Sequence, residues 1–466
     1  MRLISTITAL ALITSVSMAE EAVDYQKQID DLTKKLTKLE KTQKREKKKL
    51  AEVKAHDAHD NIKFGVDFRN TFETVGYKDN KSGVSADNNL FTSRLYLDMA
   101  ASPMDGLVFK GQLAIYSTWG AHIFDESTGL KDWSGSSHPT DTIMRVREAY
   151  FLYSSAIGEQ PISFSVGRRP ATDGFLANYR ENKDKPGSPL AHITNMEVNA
   201  MMVMLNWDRF IPGAYTKFVY GRAHTGDNTG VYGLNKEYPA DLYLPYALTD
   251  KNNGDDQDVD FFVVPGQAYD DGQYKVMYQW AHIFNTKGQK YNEPATKKAA
   301  AGTADLFSAG LVVSGIGDEI SDFLDETTVF VSGAYTNYSA KDGYQLFGSE
   351  DGGSKDGSSI WLGAVVPDMI TEDGKFGIEY NHGSQYWTPM TWAEDTTIGS
   401  KIAVRGDAYE AYWNFNLFGV KYLPSQVRYT YVQHDYTPNI KCAGWVPAEE
   451  VDITAQNLRF AVTYRY

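Results

Sequence analysis

In the stretch NIKFGVDFRNTFE, residues 61–73, every second position is apolar: Ile62, Phe64, Val66 and Phe68, with Phe72 resuming the row after Asn70. Lys63, Gly65, Asp67, Arg69, Thr71 and Glu73 occupy the positions between. A strand sends successive side chains to opposite faces, so one face of this segment is apolar and the other charged. Similar alternating or aromatic-rich runs recur near 89–101, 106–118, 142–154, 161–169, 197–208, 213–224 and 258–264. They continue near 272–284, 304–315, 327–338, 358–367, 373–386, 403–416, 422–434 and 452–466, which makes sixteen. No helical crossover pattern separates them, so the spacing predicts an antiparallel meander.

The connections sort by parity. Links after even-numbered runs are short (SPMDG, SSAIGEQ, DRFIPG), whereas those after odd-numbered runs extend over 119–141, 170–196, 225–257, 285–303, 339–357, 387–402 and 435–451. Short turns at one end and long loops at the other are the anatomy of an outer-membrane barrel. The last run, NLRFAVTYRY, alternates Leu458, Phe460, Val462, Tyr464 and Tyr466 with Arg459, Ala461, Thr463 and Arg465. One face against lipid and one against water accounts for this pattern. Hydrocarbon cannot satisfy an open sheet edge, so such a sheet must close. About sixteen strands then enclose an aqueous channel. The expected fold is all-β, a closed antiparallel transmembrane barrel over 61–466.

The N-terminal residues change the period. Arg2 precedes LISTITALALITSV and Ser17-Met18-Ala19, which fits a signal peptide over 1–19. Tyr25, Ile29, Leu32, Leu36, Leu39, Gln43, Glu46, Leu50 and Val53 then alternate in steps of four and three, the seam of an α-helical coiled coil within 20–60. Export predicts an outer-membrane barrel of a Gram-negative bacterium with this rod in the periplasm. Residues 20–54 hold ten Lys and one Arg against eight acids, a net of +3. With that and Arg2 set against the chain's −14, residues 55–466 carry −18. The Lys-rich rod suits contact with anionic peptidoglycan, or simple solvation of a coiled coil. His56 and His59, without further ligands nearby, do not make a metal site.

Composition adds limits. Of 466 residues, 42 % are hydrophobic and 13 % aromatic, and mean hydropathy is −0.42. Beyond the N-terminus no apolar run reaches the length of a membrane helix. Cys442 is the one cysteine, so no internal disulfide forms. No GxSxG elbow, HExxH or nucleotide-binding glycine loop is present, and no catalytic residues, cofactor, metal or nucleic-acid partner are expected. His282 in QWAHIF and His434 in VQHDY are read as polar strand-end residues rather than bases.

By parity the lumen face holds Lys63, Arg69, Arg145, Arg147, Arg169, Lys275, Lys375, Arg428, Arg459 and Arg465, with the acids Asp67, Glu73 and Glu379. A locally basic lumen predicts modest anion preference; cross-bracing of the inner wall is the plainer reading. The stretch 164–195 loses alternation after its strand, so 170–196 is either an inward-folding loop or an ordinary extracellular one. In the first case Arg168, Arg169, Asp173, Tyr179 and Arg180 form the constriction. The acidic loop 249–260 either holds Ca²⁺ or bridges lipopolysaccharide, or is merely solvated. Tyr150, Tyr274, Tyr278, Trp280, Tyr380, Tyr429 and Tyr431 suit interfacial girdles.

RVREAYFLY followed by FSVGRRPATDG, then SKIAVRGDAYEAYW, YTYVQHDY and the aromatic terminus resemble a family of bacterial outer-membrane β-barrels, porin-type proteins of unknown substrate defined by a domain of unknown function. More distantly, a coiled coil before a sixteen-stranded barrel resembles trimeric phosphate-type porins. That likeness implies homotrimers embedded in outer-membrane lipid and lipopolysaccharide, a periplasmic stalk and anion flux. It does not carry phosphate specificity across. The function expected is a porin passing small hydrophilic solutes. Alternatives are an envelope tether acting through the coiled coil, a sheath around a partner protein, or an outer-membrane lipase.

Overall fold

The alternation seen in the sequence becomes a continuous hydrogen-bonded wall. The structure, a computed structural model, describes residues 62–119, 143–224 and 257–466, apart from 184, 188–189, 294–298, 318–319, 372, 392–393, 395 and 439–446. The signal peptide, the coiled coil, Cys442 and most of 249–260 lie outside the described residues. Strands follow in the order β1 (Lys63–Asp79), β2 (Ser85–Met104), β3 (Leu107–Thr118), β4 (Ile143–Ile157), β5 (Gln160–Ala171), β6 (Thr194–Asn206), β7 (Tyr215–His224), β8 (Val259–Asp270) and β9 (Tyr274–Lys290). There follow β10 (Ala299–Ser314), β11 (Thr328–Ala340), β12 (Tyr344–Gln345), β13 (Ser354–Pro367), β14 (Lys375–Gly383), β15 (Met390–Thr391), β16 (Gly406–Asn416), β17 (Pro424–Tyr436) and β18 (Glu450–Arg465). Among the described residues two one-turn α-helices, α1 (Ala177–Arg180) and α2 (Asp322–Asp325), sit in connections.

The two-residue strands β12 and β15 pair inside, with β9 and β6. The other sixteen form the wall, each antiparallel to its neighbour in sequence, and β18 closes on β1 from Asp67↔Arg465 to Asp79↔Ile453. All sixteen runs read from the sequence are strands here. The link between β1 and β2 is short, residues 80–84, although it lies at the long-loop end. There the strands themselves are extended, 17 and 20 residues, well past the 9–11 or so that span a bilayer. At the other end Asp105-Gly106 joins β2 to β3. Gly106 takes φ 78°, and a Cβ there would stand 2.4 Å from the Ser154 carbonyl oxygen, so only glycine makes this turn.

One strand breaks its own parity. Gln112 opposes Glu148 and Leu113 opposes Val146, which leaves Arg147 as the extra residue of a β-bulge. Arg145 and Arg147 therefore both reach the lumen, and after the bulge the even positions Glu148 and Tyr150 do. Tyr150 opposes Gly167 and lies under Arg169, whose guanidinium carbon is 4.8 Å from the ring centre. It lines the lumen and is not part of a girdle, which corrects the reading from simple alternation. Tyr274, Tyr278, Trp280, Tyr380, Tyr429 and Tyr431 do stand on the outer face, sharing parity with exposed Phe307, Ile378 and Leu458.

Three long-loop segments pack into the barrel. Phe175, Leu176, Ala177 and Leu190 bury against Met277, Val312, Phe330 and Trp361 of the wall. Leu346, Phe347 and Trp387 cover the inner faces of β6 to β11, among them Phe261, Ala281 and Leu306. Ile398 and Val404 meet Val75, Val432 and Ala455 near the seam. These apolar contacts line one side of the interior, and β2 to β5 add to them only Leu90 at the margin.

The seam is directly testable. Thr74 and Leu458 are opposed across β1 and β18, and opposed antiparallel residues hold their Cα atoms within disulfide range. In a Cys442→Ser background, Thr74→Cys with Leu458→Cys is expected to oxidise to a cross-link that alters mobility on a non-reducing gel. Thr74→Cys with Tyr429→Cys, one strand further round, is expected to stay reduced.

Candidate functional site in the lumen

The interior divides into a covered side and an open side. On the covered side a group of charges lies beneath the inward segments. Lys401 is held between Glu379 and Glu410 of the wall, with all three side chains at most 2 % exposed. Arg180, 1 % exposed, stands with Nη1 3.6 Å from Glu394 and 3.8 Å from Glu410, and its Nε donates to Glu181 at 3.0 Å. The Arg180 carbonyl accepts from Gln426 Nε2 at 2.7 Å and from Asn414 Nδ2 at 3.2 Å. The 172–193 segment is thus tied to β16 and β17 by both its backbone and its charge. Arg428 reaches Glu181 at 3.6 Å, and Arg459 reaches Glu73 at 3.3 Å.

Burial sets the ionisation of the segment residues. Loss of water alone would depress Arg180, but the surrounding Glu394, Glu410 and Glu181 hold it well above its ordinary value. Burial raises the Glu394 carboxyl, since its cationic neighbours compensate only in part. His192 is wholly enclosed, with Nδ1 2.8 Å from Ser332 Oγ and Nε2 2.9 Å from Ser359 Oγ. Burial pushes it down to about 3, so it is a neutral brace between segment and wall.

The open side is built from the inner faces of β1 to β5 and the end of β18. Arg94 lies 4.1 Å from the centre of the Tyr96 ring and Arg147 lies 4.7 Å from it. Arg94 also donates to Asp67 at 2.8 Å, and Arg465 pairs with the same carboxylate at 2.9 Å. Arg147 donates to Glu197 at 2.7 Å, to Gln112 at 2.6 Å and to Thr172 Oγ1 at 2.8 Å. Gln112 in turn donates to Asp98 at 2.6 Å. Each guanidinium is held on an aromatic face with its edge donating to an acceptor, which fixes its position without removing its charge.

The residues singled out in the sequence fall on both sides. Lys63, Arg145 and Lys375 are exposed on the inner face, and Arg69 and Arg169 are half-buried there. Lys275 pairs with Asp270 at 3.1 Å near the short-turn end. Glu73, Arg428 and Arg459 are inner-face residues that are buried. Of the proposed constriction, Asp173 pairs with Lys183 at 2.5 Å, and Tyr179 stacks on Phe330 with centroids 5.6 Å apart. Arg180 lies under cover as described. Arg168 opposes Asn199, on the face opposite to that of Arg169, and pairs with Glu197 at 3.3 Å. Sequence reasoning missed Arg94, Tyr96, Asp98 and Lys110, whose strands were identified but whose inner parity was not read. It also missed Lys401 and Glu394, which lie in a connection without period.

Residues 84–463 match the family described as "Protein of unknown function (DUF3373)". The chain belongs to that family. No curated protein matches the sequence of this DUF3373 member. Similar solved structures include Pseudomonas putida OprB, 14 % identical over 89 % of this chain and 96 % of that one, TM-score 0.47. An anion-selective porin from Comamonas acidovorans is 12 % identical over 87 % of this chain and 100 % of that one, TM-score 0.47. OmpT, an outer membrane protein of Vibrio cholerae, is 13 % identical in its trimer form over 87 % and 99 %, TM-score 0.46. Likeness at this level says nothing of a solute. What the DUF3373 chain itself shows is a closed antiparallel barrel whose wall has sixteen strands among the described residues.

Two outcomes follow for the covered side. Lys401→Met strands the buried Glu379 carboxylate and leaves Glu410 with only the more distant Arg180 and Arg428, which costs about 3–5 kcal/mol. Protease digestion in urea is expected to cut the inward segments at lower denaturant than in the wild type, and adding Glu379→Gln and Glu410→Gln to recover most of the loss. His192 has a folded value near 3 against an unfolded value near 6.5, so its contribution is present above pH 6.5 and declines as pH falls toward 3. Glu394, raised in the fold, titrates in the opposite sense. Comparing His192→Asn with the wild type isolates the histidine: protease protection of 172–193 is expected to fall with acid in the wild type and less steeply in the variant.

Proposed function

We propose that this barrel is a passive outer-membrane channel for small hydrophilic solutes with a modest preference for anions. The observation that carries it is the unequal dressing of the interior. The inward segments cover one side, and the more open side carries Lys63, Arg69, Arg94, Lys110, Arg145, Arg147, Arg169 and Arg465 against Asp67, Asp98, Glu148 and Glu197, the last 2.7 Å from Arg147. Low-dielectric walls concentrate the field of such an excess inside a passage. In this reading Arg169 and Asp173 border the narrow part, while Tyr179 and Arg180 hold the segment that narrows it and Arg168 acts at its rim. Lys275, Lys375 and the remaining inner cations extend the basic surface.

In this reading the long loops face the exterior and the short turns the periplasm. The protein assembles as a homotrimer. Ser93 donates to Asn70 at 2.7 Å and Trp119 Nε1 to Ser93 at 2.7 Å, a polar group amid apolar outer-face residues that suits a protomer contact better than lipid.

In a planar bilayer with a salt gradient, the reversal potential is expected to have the sign of anion selectivity. Charge reversal at Lys110, Arg145 and Arg169 together is expected to lower the anion-to-cation permeability ratio several-fold, while Lys275→Glu, beside Asp270, changes it less. Cation selectivity of the wild type, or an absence of current steps, would overturn the proposal.

A further inference from the structure

Arg147 is the extra residue of the bulge in β4, and a bulge re-aims the side chain it carries. The residue is 9 % exposed, and each nitrogen of its guanidinium serves a different element. Nη1 donates to Gln112 of β3, Nε to Glu197 of β6, and Nη2 to Thr172 Oγ1, the first residue beyond β5. The strands β3 to β6 and the root of the inward segment thus meet on one side chain. Glu197 opposes Pro170, which has no N–H to donate, so the guanidinium ties in β6 at a row where the ladder lacks a donor. The Tyr96 ring, 4.7 Å from the guanidinium carbon, supports one face of the group.

The 172–193 segment leaves the wall after β5 and rejoins it at Thr194, the first residue of β6. One group therefore holds both its departure and its return. Between these points the segment crosses the interior. Phe175 and Leu176 bury against β9 to β13, and the Arg180 carbonyl is held by Asn414 of β16 and Gln426 of β17. Along the wall β16 is nine places from β5 in one direction and seven in the other. A segment fixed only at that far side would swing about it, and the free width beside β1 to β4 would change as it swung. Fixing the root removes this freedom.

We propose that Arg147 is a positioning residue of the passage: it clasps the inward segment to the open wall at both ends and so fixes the bore. Its charge is answered locally by Glu197, at 2.7 Å, and adds little to the ion preference. The proposal deepens the channel reading and rests on it. A lysine here keeps the charge, but its ammonium gathers the donors at one point and cannot serve acceptors on three elements. Bore and preference are therefore separable: Arg147 sets the first, while Arg145, exposed and two residues away, acts on the second.

Single-channel currents of the full chain test it, with gel heat-modifiability as the check that each barrel has closed. The wild type is expected to hold a steady open level. Arg147→Lys is expected to raise the open-level noise several-fold while the reversal potential in a salt gradient stays where it was. Removing the acceptors instead, with Thr172→Val and Glu197→Gln, is expected to raise the noise alike, which keeps the proposal testable should Arg147→Lys fail to fold. Arg145→Gln is expected to do the reverse and shift the reversal potential at a steady level. A quiet Arg147→Lys channel, or a quiet Arg147→Gln channel that shifts the potential as far as Arg145→Gln does, would overturn the proposal. Hydrogen exchange separates it from the channel reading. Amides 173–178 are expected to exchange several-fold faster in Arg147→Lys than in the wild type even where no current is seen, and equal exchange would sink the clasp itself.

Discussion

A peptide group in hydrocarbon has no water to bond to, and each unsatisfied N–H or C=O there costs several kcal/mol. The pairing of β18 with β1 is the point at which that constraint is met, because it removes the last free edge of the sheet. The rest follows in sequence. A closed sheet has an inside and an outside, strand pleating assigns alternate residues to each, and a wall of sixteen strands is too wide for its own side chains to fill. What remains to be specified is how the interior is occupied.

This chain fills one side of it with its own connections. Apolar residues of 172–193, 341–353 and 384–405 cover the inner faces of β6 to β14 and the seam region as a soluble protein covers its core. Charges caught beneath them are paired several ways, Lys401 with two carboxylates and Arg180 with three. A buried pair repays its desolvation only when geometry and further hydrogen bonds are good. Such a network gives little net stability but penalises any arrangement that parts its members, which keeps the segments in one place. The neutral His192 between two serine hydroxyls adds position without adding charge.

Much of this was legible in the sequence, for a definite reason. Period two is imposed on every strand because one face looks into the barrel and the other out of it, so even β8, with its short alternating run, could be counted. The loss of alternation after Phe164 and Val166 drew attention to 170–196 and left open whether it folds inward, and the structure turns its apolar residues into the barrel. What the sequence did not disclose depends on single residues or on distant packing. The bulge at Arg147 inserts one residue and reverses the parity of Tyr150, and nothing in RVREAYFLY separates it from unbroken alternation. Glu379 was placed on the lumen face correctly, but its burial depends on Lys401, twenty-two residues on in a connection without period. Arg180 reads as a free cation in the chain, and only the fold brings Glu394 and Glu410 to it.

Position also decides what the charge of the protein means. Residues 55–466 carry a net −18, which by itself suggests a passage that repels anions. Fields inside a narrow, water-filled wall depend on nearby groups, because charges beyond a screening length of about 8–10 Å contribute little. Asp260, Asp305, Asp356 and Asp407 stand on the outer face among Tyr220, His282, Tyr335 and His382. Glu379, Glu394 and Glu410 are held against Lys401 and Arg180 beneath the inward segments. The carboxylates are therefore placed where the passage does not feel them singly. On the bare wall of β1 to β5, arginines are fixed by Tyr96 and Tyr150 and only in part by acids. In the proposed channel, a solute entering from the long-loop end would meet this local excess of positive charge and not the acidity of the whole chain.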